Sequence, residues 1–215
     1  MRLSDLVPAL RARLGEALPG HTAHAEMAPY PRRSDPEVIS VDGKEGRPAA
    51  TLLLLYPGPS GEAHFVLTVR QPTLRAHSGQ VSLPGGRLEA GETPEDAARR
   101  EAFEEVGVDP EAVEVLGQLT PLYIPPSGFS VWPVVASTPR RPSFVAQEAE
   151  VAALIEVPVA ALLDPVTRER RDRDLADVAY EVPFFRLGGA EVWGATAMML
   201  AEAAVVLGDV AASRR

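Results

Sequence analysis

Residues Gly86 to Val108 read GRLEAGETPEDAARREAFEEVGV, and the latter part of that stretch is a helix with both ends written into it. Thr93 is a side-chain cap for free amides, Pro94 suits the first helical position, and Glu95 and Asp96 sit where the positive end of the helix dipole favours acids. Gly107 supplies the stop, at a position suited to a left-handed cap. Within the helix Glu101, Glu104 and Glu105 are spaced i, i+3 and i+4, so their side chains leave it within an arc of roughly 100°. Like charges at that spacing cost an isolated helix about 0.2–0.5 kcal/mol per pair, so the patch calls for a compensating cation or for full solvation. Oxygen ligands of this kind suit Mg²⁺ or Mn²⁺, ions that bridge carboxylates and substrate phosphates. A glutamate run on a helix is more often a solvated face, and the helix alone does not separate the two readings.

Outward from this helix the chain alternates strand and turn signals. Ala49 to Tyr56 (AATLLLLY) is a nearly continuous apolar run, as a strand buried on both faces requires, and a Gly/Pro-rich turn joins it to Ala63 to Arg70 as a hairpin. Val113 to Leu119, Val131 to Ser137, Ala152 to Glu156 and Glu181 to Arg186 read as further strands, with a loop at Tyr123 to Gly128. Gly194 to Leu207 reads as a closing helix. At the start, Leu3, Leu6, Val7, Leu10, Leu14 and Leu18 recur at helical spacing, an amphipathic stripe for packing on the main body or on a second copy. His21 to Pro48 has neither period and reads as a traversing loop. The expected organisation is α+β, with a helix and connecting loop over residues 1–45 and the main domain over residues 46–210.

Composition removes several classes of function. Against 21 Lys and Arg stand 30 Asp and Glu, a formal charge of −9, which argues against nucleic acid held on a broad basic face. The chain has no cysteine, which excludes disulfides, thiolate nucleophiles and Cys-ligated metals. Arg2, Asp5, Arg11, Arg13 and Glu16 interrupt the first residues where a signal peptide needs an apolar core, so a cytoplasmic protein without a membrane partner is expected.

The order Gly86, five residues, Glu92, seven residues, then Arg100-Glu101-Ala102-Phe103-Glu104-Glu105-Val106-Gly107-Val108 resembles the Nudix box of the Nudix hydrolase superfamily from end to end. Only Ala102 departs, where the family carries a larger aliphatic residue, and that position concerns helix packing. The resemblance implies an α/β/α sandwich with a mixed sheet and a loop-helix-loop metal site that hydrolyses a nucleoside diphosphate linked to another group. It implies that Glu101, Glu104 and Glu105 give carboxylates to Mg²⁺ or Mn²⁺, that Gly86 gives its carbonyl, and that Glu92 and Arg100 form an ion pair aiming the ligands. Nudix enzymes also take a carboxylate from outside the box as ligand or base. Glu148 and Glu150 are the candidates here, with Glu150 preferred as a catalytic carboxylate and Glu101 the competing base.

Ahead of the box, Val66 to Gly86 (VLTVRQPTLRAHSGQVSLPGG) is similar to the signature of the coenzyme A pyrophosphatase subgroup, with Arg70, Arg75, Gly79, Pro84, Gly85 and Gly86 in register. Gln71 and Leu83 depart from it, where the subgroup has Ser or Ala and Phe. The likeness extends to Ser127-Gly128-Phe129, Pro133-Val134-Val135, Val182-Pro183-Phe184-Phe185 and Trp193 to Ala197. It implies cleavage of coenzyme A to 3',5'-ADP and 4'-phosphopantetheine by a monomer or homodimer, with Arg70 and Arg75 as bidentate phosphate donors and His77 beside them. Phe129 and Trp132 read first as core residues and second as lining of a substrate groove. Alternative substrates are NADH, ADP-ribose or an oxidised nucleotide. A non-catalytic nucleotide-binding module is disfavoured because Glu92, Glu101, Glu104 and Glu105 are all present.

Overall fold

A computed structural model of the chain describes residues 1–30, 35–72, 79–175 and 178–213. In chain order its elements are α1 (Leu3–Leu14), α2 (His21–Ala25), α3 (Pro36–Ile39), β1 (Arg47–Pro57), β2 (Ala63–Arg70), β3 (Val81–Ser82), β4 (Gly85–Arg87), α4 (Pro94–Val106), β5 (Glu114–Gln118), β6 (Leu122–Ile124), β7 (Phe129–Ser137), β8 (Val151–Pro158), α5 (Val159–Leu163), β9 (Arg168–Leu175), β10 (Val178–Leu187), β11 (Ala190–Trp193) and α6 (Gly194–Ala212).

The apolar run of β1 makes it the central strand of an eight-stranded mixed sheet. Along one edge it pairs antiparallel with β2, where Leu55 faces Phe65, and with β4, where Ala50 faces Gly86; along the other it runs parallel to β7. β3 and β8 extend the sheet from β2, and β5 and β6 from β7. Alternation along β1 divides its side chains between two layers. Ala50, Leu52 and Leu54 pack in one cluster with Ala97, Ala98, Ala102 and Val106 of α4. Ala49, Leu53 and Leu55 pack in the other with Leu3, Leu6, Leu10 and Leu14 of α1 and with the apolar residues of α6. A strand covered on both faces has no polar side to show, hence AATLLLLY. The result is an α/β/α sandwich of the expected α+β class. Ala102 finds its reason here: it is fully buried against the sheet, as are Ala97 and Ala98, and small side chains on this stripe let α4 lie close to β1.

Three sequence expectations need correction. The segment read as a loop before β1 contains α2 and α3, short helices held by tertiary contacts rather than by period. Leu122–Ile124, at the edge of the expected loop, pairs with β7 as β6. β9 was not expected at all, because RERRDRDL has no apolar alternation. It pairs along its length with β10, and β10 with β11, in a separate three-stranded sheet. Its arginines are neutralised across the strands by acids, among them Arg170 with Glu181 and Arg171 with Glu191, so the strand is specified by charge pairs instead of burial. α6 is apolar all round and long enough to cross a membrane by composition, with 67% of its apolar window buried inside the protein.

Candidate active site

The chain between β3 and α4 folds as its residues dictate. Thr93 caps α4 by accepting from the Asp96 amide while the Asp96 carboxylate accepts from Thr93 N–H, a reciprocal capping box, and Gly107 closes the helix at φ 71°. β4 is laid against β1 one turn-length before the helix, so Gly85 and Gly86 run beneath the middle of α4. Gly86 fits nothing larger: a Cβ there would stand 2.3–2.6 Å from the Glu101 carboxylate. Gly85 N–H donates to Glu105 Oε2 at 3.2 Å. Two carboxylates are thus seated on the glycine pair.

Arg100 organises the other acids. Its Nε and Nη2 grip Glu92 at 2.7 and 3.0 Å, Nη1 reaches Glu101 at 2.9 Å and Glu104 at 3.3 Å, and Nη2 also donates to the Arg87 carbonyl at 2.9 Å. This fork ties the loop before the helix to the helix itself. Glu92 is held down at about 2 by the Arg100 hydrogen bonds, helped by the Glu89 amide. The opposite holds beneath the helix, where burial pushes Glu105 up to about 7 against the Gly85 hydrogen bond, with Glu101, Glu150 and Arg70 as further charges. Burial also raises Glu101, opposed by Arg100 and reinforced by Glu104 and Glu150. Two partly desolvated acids facing each other favour protonation or a cation between them.

The structure therefore brings Glu101, Glu105 and Gly86 together and places Glu92 and Arg100 as the expected pair. Glu104 is not drawn in: its side chain is 54% exposed and turned to Arg100. Among the described residues, no three acids or histidines are gathered tightly enough to form a metal cage. Glu150 is exposed but within electrostatic reach of Glu101 and Glu105. Arg70 is within electrostatic reach of Glu105, and its buried Nε has no hydrogen-bond partner among the described residues. Arg75 and His77 lie outside the described residues. Phe129 is half-buried and packs against the larger core cluster, and Trp132 is half-buried.

The segment that carries Glu148 and Glu150 is clamped from two sides. Val145 and Gln147 amides donate to the Val106 and Glu105 carbonyls at the end of α4. Just past the end of β2, the Gln71 amide donates to Glu150 O and its side-chain Nε2 to Glu148 O, both at 2.8 Å. Sequence reading noted Gln71 only as a departure; its role as a clamp depends on a loop 77 residues away.

A model of the NUDIX domain matches residues 46–177. The chain belongs to the Nudix family. Nudix relatives include the Arabidopsis thaliana Nudix hydrolase 22, chloroplastic, 36% identical over 166 residues, and the Klebsiella pneumoniae Nudix hydrolase NudL, 38% identical over 169. These matches cover 74% and 75% of this chain; it spans 83% of the Klebsiella protein but only 55% of the Arabidopsis one. A crystal structure of a Nudix hydrolase from M. smegmatis, RenU, aligns with a TM-score of 0.49 at 25% identity, covering 83% of this chain and 95% of that one.

Within this Nudix domain, Gly86→Ala is expected to leave α4 and the sheet folded while pushing the Glu101 carboxylate off its seat, because the clash is with a movable side-chain end. Activity should fall at least about a hundredfold, as displacing a reacting group by about 1 Å does. Steady-state kinetics alongside circular dichroism checks both halves. Near-parental turnover would overturn the expectation that the Glu101 carboxylate acts from its seat on Gly86.

Proposed function

We propose that this Nudix protein hydrolyses the pyrophosphate of coenzyme A, releasing 3',5'-ADP and 4'-phosphopantetheine with the help of Mg²⁺ or Mn²⁺. The observation that supports the reading is geometric: the Glu101 and Glu105 carboxylates are seated together on the Gly85–Gly86 pair, and the Arg70 guanidinium, within electrostatic reach of Glu105, has a buried Nε with no hydrogen-bond partner among the described residues. A polyanionic diphosphate with its cation suits both groups.

The residues fit such a cation. The donors are all hard oxygens, the Glu101 and Glu105 carboxylates are raised by burial, and the glycine cradle admits the Glu101 carboxylate with no Cβ in the way. Glu101, Glu105 and the Gly86 carbonyl would hold it, with Glu104 joining when Arg100 releases it. When bound, a divalent cation neutralises the diphosphate and acidifies a water ligand. Arg100 and Glu92 keep the loop and helix in register. Glu150, set by its clamped loop, accepts the water's proton, with Glu101 as the competing base. An attacking water deprotonated in this way would bond through its oxygen to one phosphorus as the bond from that phosphorus to the bridging oxygen breaks and the other phosphate leaves, with Arg70 placed to donate to the diphosphate oxygens. The coenzyme A assignment rests on the stretch from Arg70 to Gly86, which matches that subgroup at six positions.

The test is to incubate the protein with coenzyme A and Mg²⁺ or Mn²⁺, with and without EDTA, and identify products by mass spectrometry beside NADH, ADP-ribose, dinucleoside polyphosphates and nucleoside triphosphates. Metal-dependent release of 3',5'-ADP with 4'-phosphopantetheine, faster than any other reaction in the panel, is expected. Cleavage of another member with coenzyme A untouched would overturn the substrate and keep the chemistry; no cleavage of any member would overturn both.

A further inference from the structure

Most arginines described as stacking on an aromatic ring in this protein also hold a carboxylate. Arg141 lies over Phe144 and binds Glu156; Arg168 lies over Phe185 and binds Glu26; Arg171 and Arg186 lie over Phe184 and Arg173 over Trp193, each with Glu191 or Glu169. Arg47 and Arg87 differ. Both stack on one ring, that of Phe129, at 4.2 and 5.3 Å from its centroid, and among the described residues neither meets an acid. Arg47 spends one Nη2 donor on the Ser127 carbonyl, and Arg87 makes no side-chain hydrogen bond among the described residues. In a chain of formal charge −9, two exposed guanidiniums over one ring, neither meeting an acid among the described residues, offer an anion a local cationic pair.

The local chemistry says which anion. Stacking occupies the flat faces of a guanidinium and leaves its N–H edges directed outward in the ring plane, the geometry that binds phosphate in bidentate fashion. Position ties the pair to the site. Gly86 of β4 faces Glu101 of α4, so the next residue, Arg87, is turned to the other side of the sheet, where Phe129 packs on the opposite core. Arg87 thus sits on the same short strand, β4, that carries Gly86 of the site.

We propose that Arg47 and Arg87, stacked on Phe129, form a subsite for a phosphomonoester of the substrate, separate from the diphosphate held at Glu101 and Glu105. The proposal rests on the coenzyme A reading, in which the group is the 3'-phosphate of the ribose. It assigns Arg70 to the diphosphate and moves recognition of the third phosphate to residues outside the signature.

The test is calorimetric binding of adenosine 3',5'-bisphosphate and of AMP to the full chain in EDTA, for the parent and for Arg47→Gln, Arg87→Gln and the double variant. The parent is expected to prefer the bisphosphate by about tenfold or more, the double variant to bind the two within about twofold, and Arg87→Lys to fall between, since it keeps charge but loses the planar fork. In turnover, the ratio of kcat/KM for coenzyme A over 3'-dephospho-coenzyme A should fall in parallel. A preference that survives in the double variant would overturn the subsite while leaving coenzyme A as substrate. If the parent shows no preference the subsite is also overturned, and the product assay then decides independently whether coenzyme A is cleaved. Arg87→Lys guards against misfolding of the glutamine variants, because a lysine with parental preference overturns the guanidinium geometry on its own.

Discussion

Glu105→Gln is expected to reduce turnover by about a thousandfold or more while leaving the metal-free protein at least as stable as its parent. The two halves come from one fact. Glu105 is 7% exposed, with burial pushing its carboxyl up to about 7, so the folded chain accommodates its anionic form poorly. Glutamine keeps the shape and keeps an oxygen for the Gly85 amide at 3.2 Å, and it removes the charge. Without a cation that removal is neutral or favourable; with a cation required for chemistry it takes away a ligand. Thermal unfolding in EDTA should show the variant melting level with the parent or a few degrees above it, and added Mn²⁺ should raise the parent's midpoint more than the variant's. Turnover within about tenfold of the parent would sink the ligand assignment. A large loss of stability in EDTA would mean instead that Glu105 serves the fold.

The contrast between what the sequence discloses and what it conceals follows from locality. The helix with its cap, acids and stop was legible because each feature acts within a few residues: Thr93 on Asp96, Gly107 on the last turn, Arg100 on Glu101 and Glu104. The central strand was legible because burial on both faces leaves an uninterrupted apolar run. β9 was not, since its pairing is fixed by acids on β10 and β11 that charge patterning cannot locate. The same limit applies to the site. Spacing puts Glu101, Glu104 and Glu105 in one arc, yet which of them turns inward depends on where β4 runs and on what Arg100 holds, and the helix period is silent on both. Phe129 illustrates it further, because an aromatic in a strand reads as core until two arginines from β1 and β4 arrive at its face.

Glu202→Ala should destabilise the protein by about 3 kcal/mol or more, because it removes the acceptor of several buried or part-buried donors, each costing about 1–3 kcal/mol when left unpaired. Glu202 is a fully buried acid in the middle of α6, a helix whose other acid, Asp209, is half-exposed near its end, and it is surrounded by donors: Gly20 N–H at 2.9 Å, His24 Nε2 at 3.0 Å, Thr120 N–H at 2.9 Å and Thr120 Oγ1 at 2.6 Å. Those donors come from the turn before α2, from α2 itself and from the chain between β5 and β6, so one carboxylate pins three segments to the closing helix. Alanine would leave His24 buried and the part-buried Gly20 and Thr120 donors without their acceptor, which explains the size of the effect. Glutamine presents an NH₂ where one donor already points and should cost about 1–3 kcal/mol. The two variants also differ with pH. Burial pushes the Glu202 carboxyl up, but hydrogen bonds from His24 and Thr120 outweigh it and hold the group below its ordinary 4.5. A depressed acid stabilises the folded state above its unfolded value, and that contribution is lost as pH falls through the folded one. Urea unfolding should therefore show the parent losing its advantage over Glu202→Gln as pH drops below about 4.5, with the full gap present at pH 7. A gap of constant size across that window would place the stabilisation in shape rather than charge. A gap under about 0.5 kcal/mol at pH 7 would mean that water or a shifted side chain replaces the carboxylate, and that the N-terminal segment is held by its leucine stripe alone.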